Sequence, residues 1–297
     1  MLTHLNPQPA RPPRVVVLGA GGFIAGAIVK RLKADGIEVL ALGRPHMDLL
    51  GADAAEHLAR QLRTDDTLVF ASAKAPVRNL QMLQENLAMA NVVCTALKTR
   101  PVAHLVYLSS DAVYKDSPEP LTEQSCAEPG SLHGAMHLTR EIALRAEHPG
   151  PLALVRSTLV YGIDDPHNGY GPNRFRRLAQ EGKGILLFGE GEERRDHVHV
   201  DDVAELMRLI VLHRSAGIAN AASGEVASFR ELAEFAAGSF APRVEIKGSP
   251  RTGPMPHNGY RPFENAALAK AFPGFSFRTW REGLKAVHDQ AKAQVRA

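Results

Sequence analysis

An apolar run, Val15-Val16-Val17-Leu18, passes directly into Gly19-Ala20-Gly21-Gly22, and then into residues 23–34, where Ile24, Ala27, Ile28 and Leu32 recur at helical spacing. A continuously apolar run suits a strand buried on both faces of a parallel sheet. Asp35-Gly36 closes the helix before a second apolar run at residues 37–42, so strand, glycine turn, helix and strand make one βαβ unit. Glycine permits the tight turn, lets backbone approach a pyrophosphate, and leaves the first helical N–H groups facing its negative charge. The loop containing Gly19, Gly22 and Ala25, with Phe23 and Ile24 opening the helix, therefore predicts a dinucleotide cradle.

The alternation continues along the chain. Residues 54–63, 80–97 and 132–146 read as helices, and residues 67–71, 103–109 and 152–155 as strands. This predicts an α/β fold, a doubly wound parallel (Rossmann) sheet with right-handed crossovers, over residues 14–163 with returns from about 195–222. Residues 1–13 hold four prolines and no periodicity, and read as a flexible N-terminal arm. From Asp164 to Pro172 glycine and proline cluster. Residues 164–297 are expected to form mainly a smaller substrate-binding lobe over the carboxyl edge of the sheet, where open α/β sheets bind ligands. Residues 266–295 read as helix, turn at Pro273-Gly274, then helix.

Several functional classes are disfavoured. The net charge of +3, from 35 basic and 32 acidic residues, supplies no broad cationic field for nucleic acid. Residues 15–29 form the longest uncharged stretch but contain four glycines, too short and glycine-rich to span a bilayer, and no cleavage-like break follows as in a secretory leader. Cys94 and Cys126 are too few for a disulfide framework or a cysteine metal site, which fits packing roles in a reducing cytoplasm.

The tip of the second strand reads Leu42-Gly43-Arg44-Pro45, without the acidic residue that would bind the adenosine ribose hydroxyls. Arg44 is suited to pair with a 2′-phosphate, so NADP is the expected cofactor, with NAD the alternative.

These residues resemble the extended short-chain dehydrogenase/reductase family, the nucleotide-sugar epimerases, dehydratases and 4-reductases, over nearly the whole chain after the N-terminal arm. Gly19, Gly22 and Ala25 match its glycine pattern, Asp48-Leu49 the pair that approaches adenine, Ala71-Ser72-Ala73 its alanine-rich strand end, and Asn86 the asparagine of the next helix. Ser109-Ser110-Asp111-Ala112-Val113-Tyr114 resembles the active-site segment, with Ser110 in the catalytic place. The segment ending Val160-Tyr161-Gly162 resembles that after the sixth strand, and residues 189–204 resemble the long C-terminal signature. The resemblance implies a nucleotide-sugar substrate with Arg195 on its diphosphate, and a homodimer through the helices at residues 80–97 and 132–146. Asp111 would allow dehydratase chemistry, but Ala112 stands where dehydratases have glutamate, so epimerase or reductase chemistry ranks higher.

The chain departs from the family at the catalytic pair. Relatives place a tyrosine and, four residues on, a lysine on one helical face. Aligned on Gly134 and Glu141, this sequence has His133 and His137 there. Histidine does acid–base work near neutral pH, so His133 is the expected proton shuttle beside Ser110, with His137 orienting the cofactor. The competing expectation is a degenerate module that binds NADP, as a sensor or scaffold, without turnover. Zinc at His133 and His137 is disfavoured because no glutamate follows His133 and no third ligand is evident; His197 and His199 read as structural. Leu159 replaces an asparagine found in many nucleotide-sugar enzymes, and Asn173, Arg174, His257 and Tyr260 are candidates to line the lobe's cleft or to lie in solvated loops.

Overall fold

Val15, Val16, Val17 and Leu18 are all wholly buried because their strand has a parallel partner on each side and helices on both faces. The computed structural model describes residues 2–296. In chain order its elements are β1 (Thr3–His4), β2 (Val15–Leu18), α1 (Phe23–Ala34), β3 (Val39–Leu42), α2 (Ala54–Gln61), β4 (Thr67–Phe70), α3 (Leu80–Thr99), β5 (His104–Ser110), α4 (Leu132–Glu147), β6 (Leu152–Ser157), β7 (Leu159–Tyr161), α5 (Pro172–Gln180), β8 (Ile185–Phe188), β9 (Arg194–His199), α6 (Val200–Leu212), β10 (Ser215–Ala221), β11 (Val226–Ser228), α7 (Phe229–Ser239), β12 (Ile246–Ser249), β13 (Tyr260–Arg261), α8 (Ala266–Ala271) and α9 (Trp280–Arg296).

The main sheet has the order β1-β10-β6-β5-β4-β2-β3. Every pairing within it is parallel except that of β1. The chain leaves β2 for β3 on one side and then crosses to β4 on the other, so the order reverses between β2 and β4. A doubly wound sheet opens its ligand crevice at the carboxyl ends of such a pair. Side chains alternate across the sheet. Val15, Val17, Val69 and Val106 pack with α1 and α6, while Val16, Leu18, Phe70 and Tyr107 pack toward α2, α3 and α4.

The α/β sheet expected from the sequence is present. The N-terminal arm is a correction: Thr3 and His4 pair with Ala216 and Ser215, and the His4 ring bonds Ser215 Oγ and the Ala271 carbonyl at 2.8 and 2.9 Å. A two-residue edge strand leaves no periodic signal, and the four prolines follow it rather than interrupt it.

The region after residue 164 divides. Phe175, Ile185, Leu187, Phe229, Leu232, Trp280 and Leu284 form a separate core beneath β9, which pairs with β7, β11 and β13. Helix α6, strand β10 and Leu268 of α8 return to the main sheet. Pro273-Gly274 lies between α8 and α9, as expected. Among the described residues no helix is long and apolar enough to cross a membrane.

Candidate functional site

The carboxyl ends of β2, β4 and β5 bring together most of the residues singled out in the sequence. Gly19 has φ +86°, and a Cβ there would stand 2.9 Å from the backbone nitrogen and Cα of Ser72. Only glycine allows the end of β2 to approach the end of β4 this closely. Gly22 caps α1 in an extended conformation without a side chain, and its N–H donates to Gly19 O at 2.8 Å. The first turn of α1 carries no acidic residue. A tight, uncharged, backbone-lined loop opening a helix fits a dinucleotide pyrophosphate; Gly19, Gly22, Phe23 and Ile24 would hold it.

Around this loop the expected contacts separate. Arg44 is exposed at the tip of β3 and enters no hydrogen bond or salt bridge among the described residues, so it is available to an anion. Asp48 is exposed and accepts the Leu50 N–H at 3.0 Å, whereas the Leu49 side chain is buried in the core with Met47 and Ala54. Ala71 and Ser72 are half-buried and Ala73 exposed. Asn86 is wholly buried: its amide exchanges hydrogen bonds with the Lys74 backbone at 3.0 and 2.9 Å and donates to Met82 O at 2.7 Å. It therefore fastens the loop after β4 from below.

Arg140, which the sequence reading did not single out, completes that clamp. It is wholly buried on α4, donates to Asn86 O at 2.6 and 2.9 Å and to Ser72 O at 2.8 Å, and lies over the Phe70 ring. No carboxylate lies within salt-bridge reach of it among the described residues. Its signal was present in the sequence: Met136, His137, Arg140, Glu141 and Leu144 share one helical face, all buried. Glu141 on that face receives Arg156 in two bonds of 2.9 and 2.6 Å and Ser109 Oγ at 2.7 Å, fixing α4 to β5 and β6.

Ser131 caps α4, accepting the Gly134 N–H at 3.1 Å. A Cβ on Gly134 would overlap the Ala112 carbonyl oxygen and stand 2.7 Å from Pro129 Cβ. The helix start is thus pressed onto the short 3-10 turn Asp111–Val113, and the Asp111 carboxylate is near enough to act on His133. Ser110 Oγ accepts the Ala112 N–H at 3.2 Å and reaches Asp111 Oδ1 at 3.4 Å. The His133 and His137 rings meet edge to face at 4.8 Å, and His137 Nδ1 lies 2.7 Å from the Tyr107 hydroxyl. Burial lowers the pKa of His133 despite nearby Asp111, and lowers that of His137 further, with His133 and Arg140 adding to the effect. Both imidazoles are neutral at pH 7. The site therefore lacks a cationic side chain at the position where the resemblance implies lysine.

Asp111 is not a free acid. Arg261, buried on β13 and also missed in the sequence, binds its Oδ2 at 2.9 Å and its carbonyl at 2.6 Å. Arg195 stands between Asp111 and Glu193 in longer contacts of 3.7 and 3.4 Å. Arg261 sits in a two-residue strand after a glycine- and proline-rich segment, where no periodicity marks it.

In the lobe, Asn173 is buried between the Gly162 N–H and Asp165, Arg174 and Tyr260 are exposed, and His257 bonds Asp116. Leu159, on β7, is half-buried against the lobe's core. His197 and His199 are buried, and their Nδ1 atoms engage Arg195 O and the Asp201 N–H.

Comparison with known proteins adds an independent line. The sequence model described as "NAD dependent epimerase/dehydratase family" matches residues 15–222. A protein of Oryza sativa subsp. japonica named "Putative GDP-L-fucose synthase 2" is 30% identical over 256 residues, covering 74% of this chain and 71% of its own. The dTDP-4-dehydrorhamnose reductase of Mycolicibacterium smegmatis is 27% identical, covering 92% of this chain and 84% of its own. The UDP-glucose 4-epimerase of Thermus thermophilus, solved in complex with NAD, superposes with a TM-score of 0.81 at 25% identity over 93% of this chain and 98% of its own. With a glycine loop, a Ser110 segment and a lobe in the expected order, and a family match across the parallel strands of the main sheet, the chain belongs to the NAD-dependent epimerase/dehydratase family.

Proposed function

We propose that this protein is an NAD(P)-dependent enzyme acting on a nucleotide sugar, a 4-epimerase or 4-reductase, with His133 as the acid–base group. Ser110 hydrogen-bonds the reacting oxygen, His137 orients the cofactor, and Arg195 meets the substrate diphosphate. The observation that carries the reading is the seating of Gly134 on Ala112, which packs the His133 end of α4 against the turn that follows Ser110. A bound nicotinamide would supply the hydride chemistry at the sugar. The protein's part is to move the accompanying proton.

The two histidine replacements are chemically coherent. A phenol is a poor base at neutral pH and needs a nearby cation to lower its pKa. A neutral imidazole accepts a proton at pH 7 unaided, and a neighbouring cation would only weaken it as a base. Once His133 replaces the tyrosine, the electrostatic need for a lysine at residue 137 disappears.

Exposed Arg44 favours NADP over NAD, and the exposed apolar side chains of Leu80 on α3 and Ile142 on α4 favour a homodimer through these two helices. Cys94 and Cys126 are both free, which fits a reducing cytoplasm.

A second reading is a cofactor-binding module without turnover, favoured by the absence of charge on His137. Incubating purified protein with NAD(H) or NADP(H) and a panel of UDP-, GDP- and dTDP-sugars separates the two. Cofactor redox change or an altered sugar supports the enzyme; tight cofactor binding with every sugar unchanged supports the silent module.

A further inference from the structure

The Tyr107 hydroxyl is wholly buried on β5, with His137 Nδ1 at 2.7 Å and the Arg140 guanidinium, which can only donate, as its hydrogen-bond partners. Two arrangements satisfy that distance. If the imidazole donated from Nδ1, the phenol would accept, and its own O–H would be buried without an acceptor. If the phenol donates, both groups are satisfied. The arrangement therefore runs from Tyr107 O–H to Nδ1, and a neutral His137 then carries its proton on Nε2. Among the described residues that nitrogen makes no hydrogen bond, which leaves it free to donate to a ligand.

Charge in the surroundings keeps the pair in this state. Burial drives the Tyr107 phenol up to about 12, against a lesser opposing pull from Arg140, so it stays a protonated donor. Burial, then His133, then Arg140 keep His137 neutral. Arg140, anchored on the Ser72 and Asn86 carbonyls, holds a buried positive charge close to both.

We infer that Tyr107 is a positioning residue that fixes His137 as its Nε2–H tautomer, and that this N–H donates to a ribose hydroxyl oxygen of the bound dinucleotide. The ligand half of the inference rests on the dinucleotide reading of the site. The neutral donor keeps the hydrogen bond an ammonium would make at this position, without the charge.

The test uses the full chain with nitrogen-15-labelled histidine. Long-range proton–nitrogen NMR at pH 7.5 reads the His137 tautomer, and a titration with NAD and NADP reads affinity. The expected result is a pyrrole-type Nε2 and a pyridine-type Nδ1 in the unmodified protein. Tyr107→Phe should mix the tautomers and weaken binding about twofold, because an even mixture halves the binding-competent population. His137→Gln, whose amide nitrogen can replace Nε2–H, should bind within about twofold of the unmodified protein, and His137→Leu should show the larger loss. A pyrrole-type Nδ1 in the unmodified protein overturns the inference and leaves the proposed function standing. An unchanged tautomer and affinity in folded Tyr107→Phe also overturns it. Failure of the unmodified protein to bind either dinucleotide overturns the proposed function and the ligand half together, while the tautomer reading still decides the Tyr107 half.

Discussion

Gly134 lies against the Ala112 carbonyl so closely that a methyl group at this position would overlap the oxygen. Gly134→Ala should push the start of α4 off the 3-10 turn and move His133 away from Ser110. We expect a loss of about 1–3 kcal/mol in stability, as for overpacking elsewhere, and a drop in turnover larger than the stability loss explains. Chemical unfolding and a steady-state assay read the two effects. Gly130→Ala, with nothing within 4 Å of its Cβ, is the control and should change neither; a Gly134→Ala protein as stable and active as the control would contradict the account.

Removing the buried cation tests the clamp beneath the cofactor loop. Arg140→Met leaves the Ser72 carbonyl without its side-chain donor and the Asn86 carbonyl with only its place in the α3 ladder, and a buried acceptor left unpaired costs about 1–3 kcal/mol. Relief of the buried charge offsets part of this. The variant should melt several degrees lower and bind the cofactor more weakly, by calorimetry. Unchanged melting would mean the loop after β4 holds its place without Arg140.

Much of this arrangement could be read before any coordinates, and the rest was hidden for identifiable reasons. The β2 run and the glycine loop carry their structure locally, in consecutive residues, so Gly19 and Gly22 lie where the pattern put them. Ser110, His133 and His137 were identified through resemblance to the family's active-site segment and catalytic helix. Tyr107 looked like one more apolar strand residue, because only the register of β5 against α4 shows what its hydroxyl meets. Arg261 and Asp111 are 150 residues apart, and no local pattern encodes a contact between an active-site turn and a two-residue strand. Leu49, expected near adenine, is core.

Arg44 separates the two cofactors. Arg44→Ala should weaken NADP on the order of tenfold, the scale of a charge-assisted contact to phosphate, and leave NAD within about twofold. Equal losses for both cofactors in fluorescence titration would remove the 2′-phosphate contact from the account.

Acid stability follows from the buried histidines. Burial holds His104 and His288 down to about 4 and His197 to about 3. Below pH of about 6.5 the unfolded chain takes up protons on these rings and the folded chain does not. Their contribution is complete above that pH and falls by about 1.4 kcal/mol per ring for each unit of further acidification toward the folded values. Asp196, raised to about 6 by burial, acts in the opposite sense, but as one group against three. Urea unfolding at pH 7.5 and pH 5 should therefore show a loss of several kcal/mol at the lower pH; equal stability would mean that these rings are hydrated in the folded protein.

The central claim is that His133 moves the proton. The most direct measurement is single-turnover hydride transfer, followed by nicotinamide absorbance, in the unmodified protein and in His133→Phe, each loaded with cofactor and given the sugar nucleotide that the panel identifies. The account predicts unchanged cofactor affinity and a rate lower by about 100-fold or more, the range of general acid–base catalysis. Full turnover by His133→Phe would contradict it.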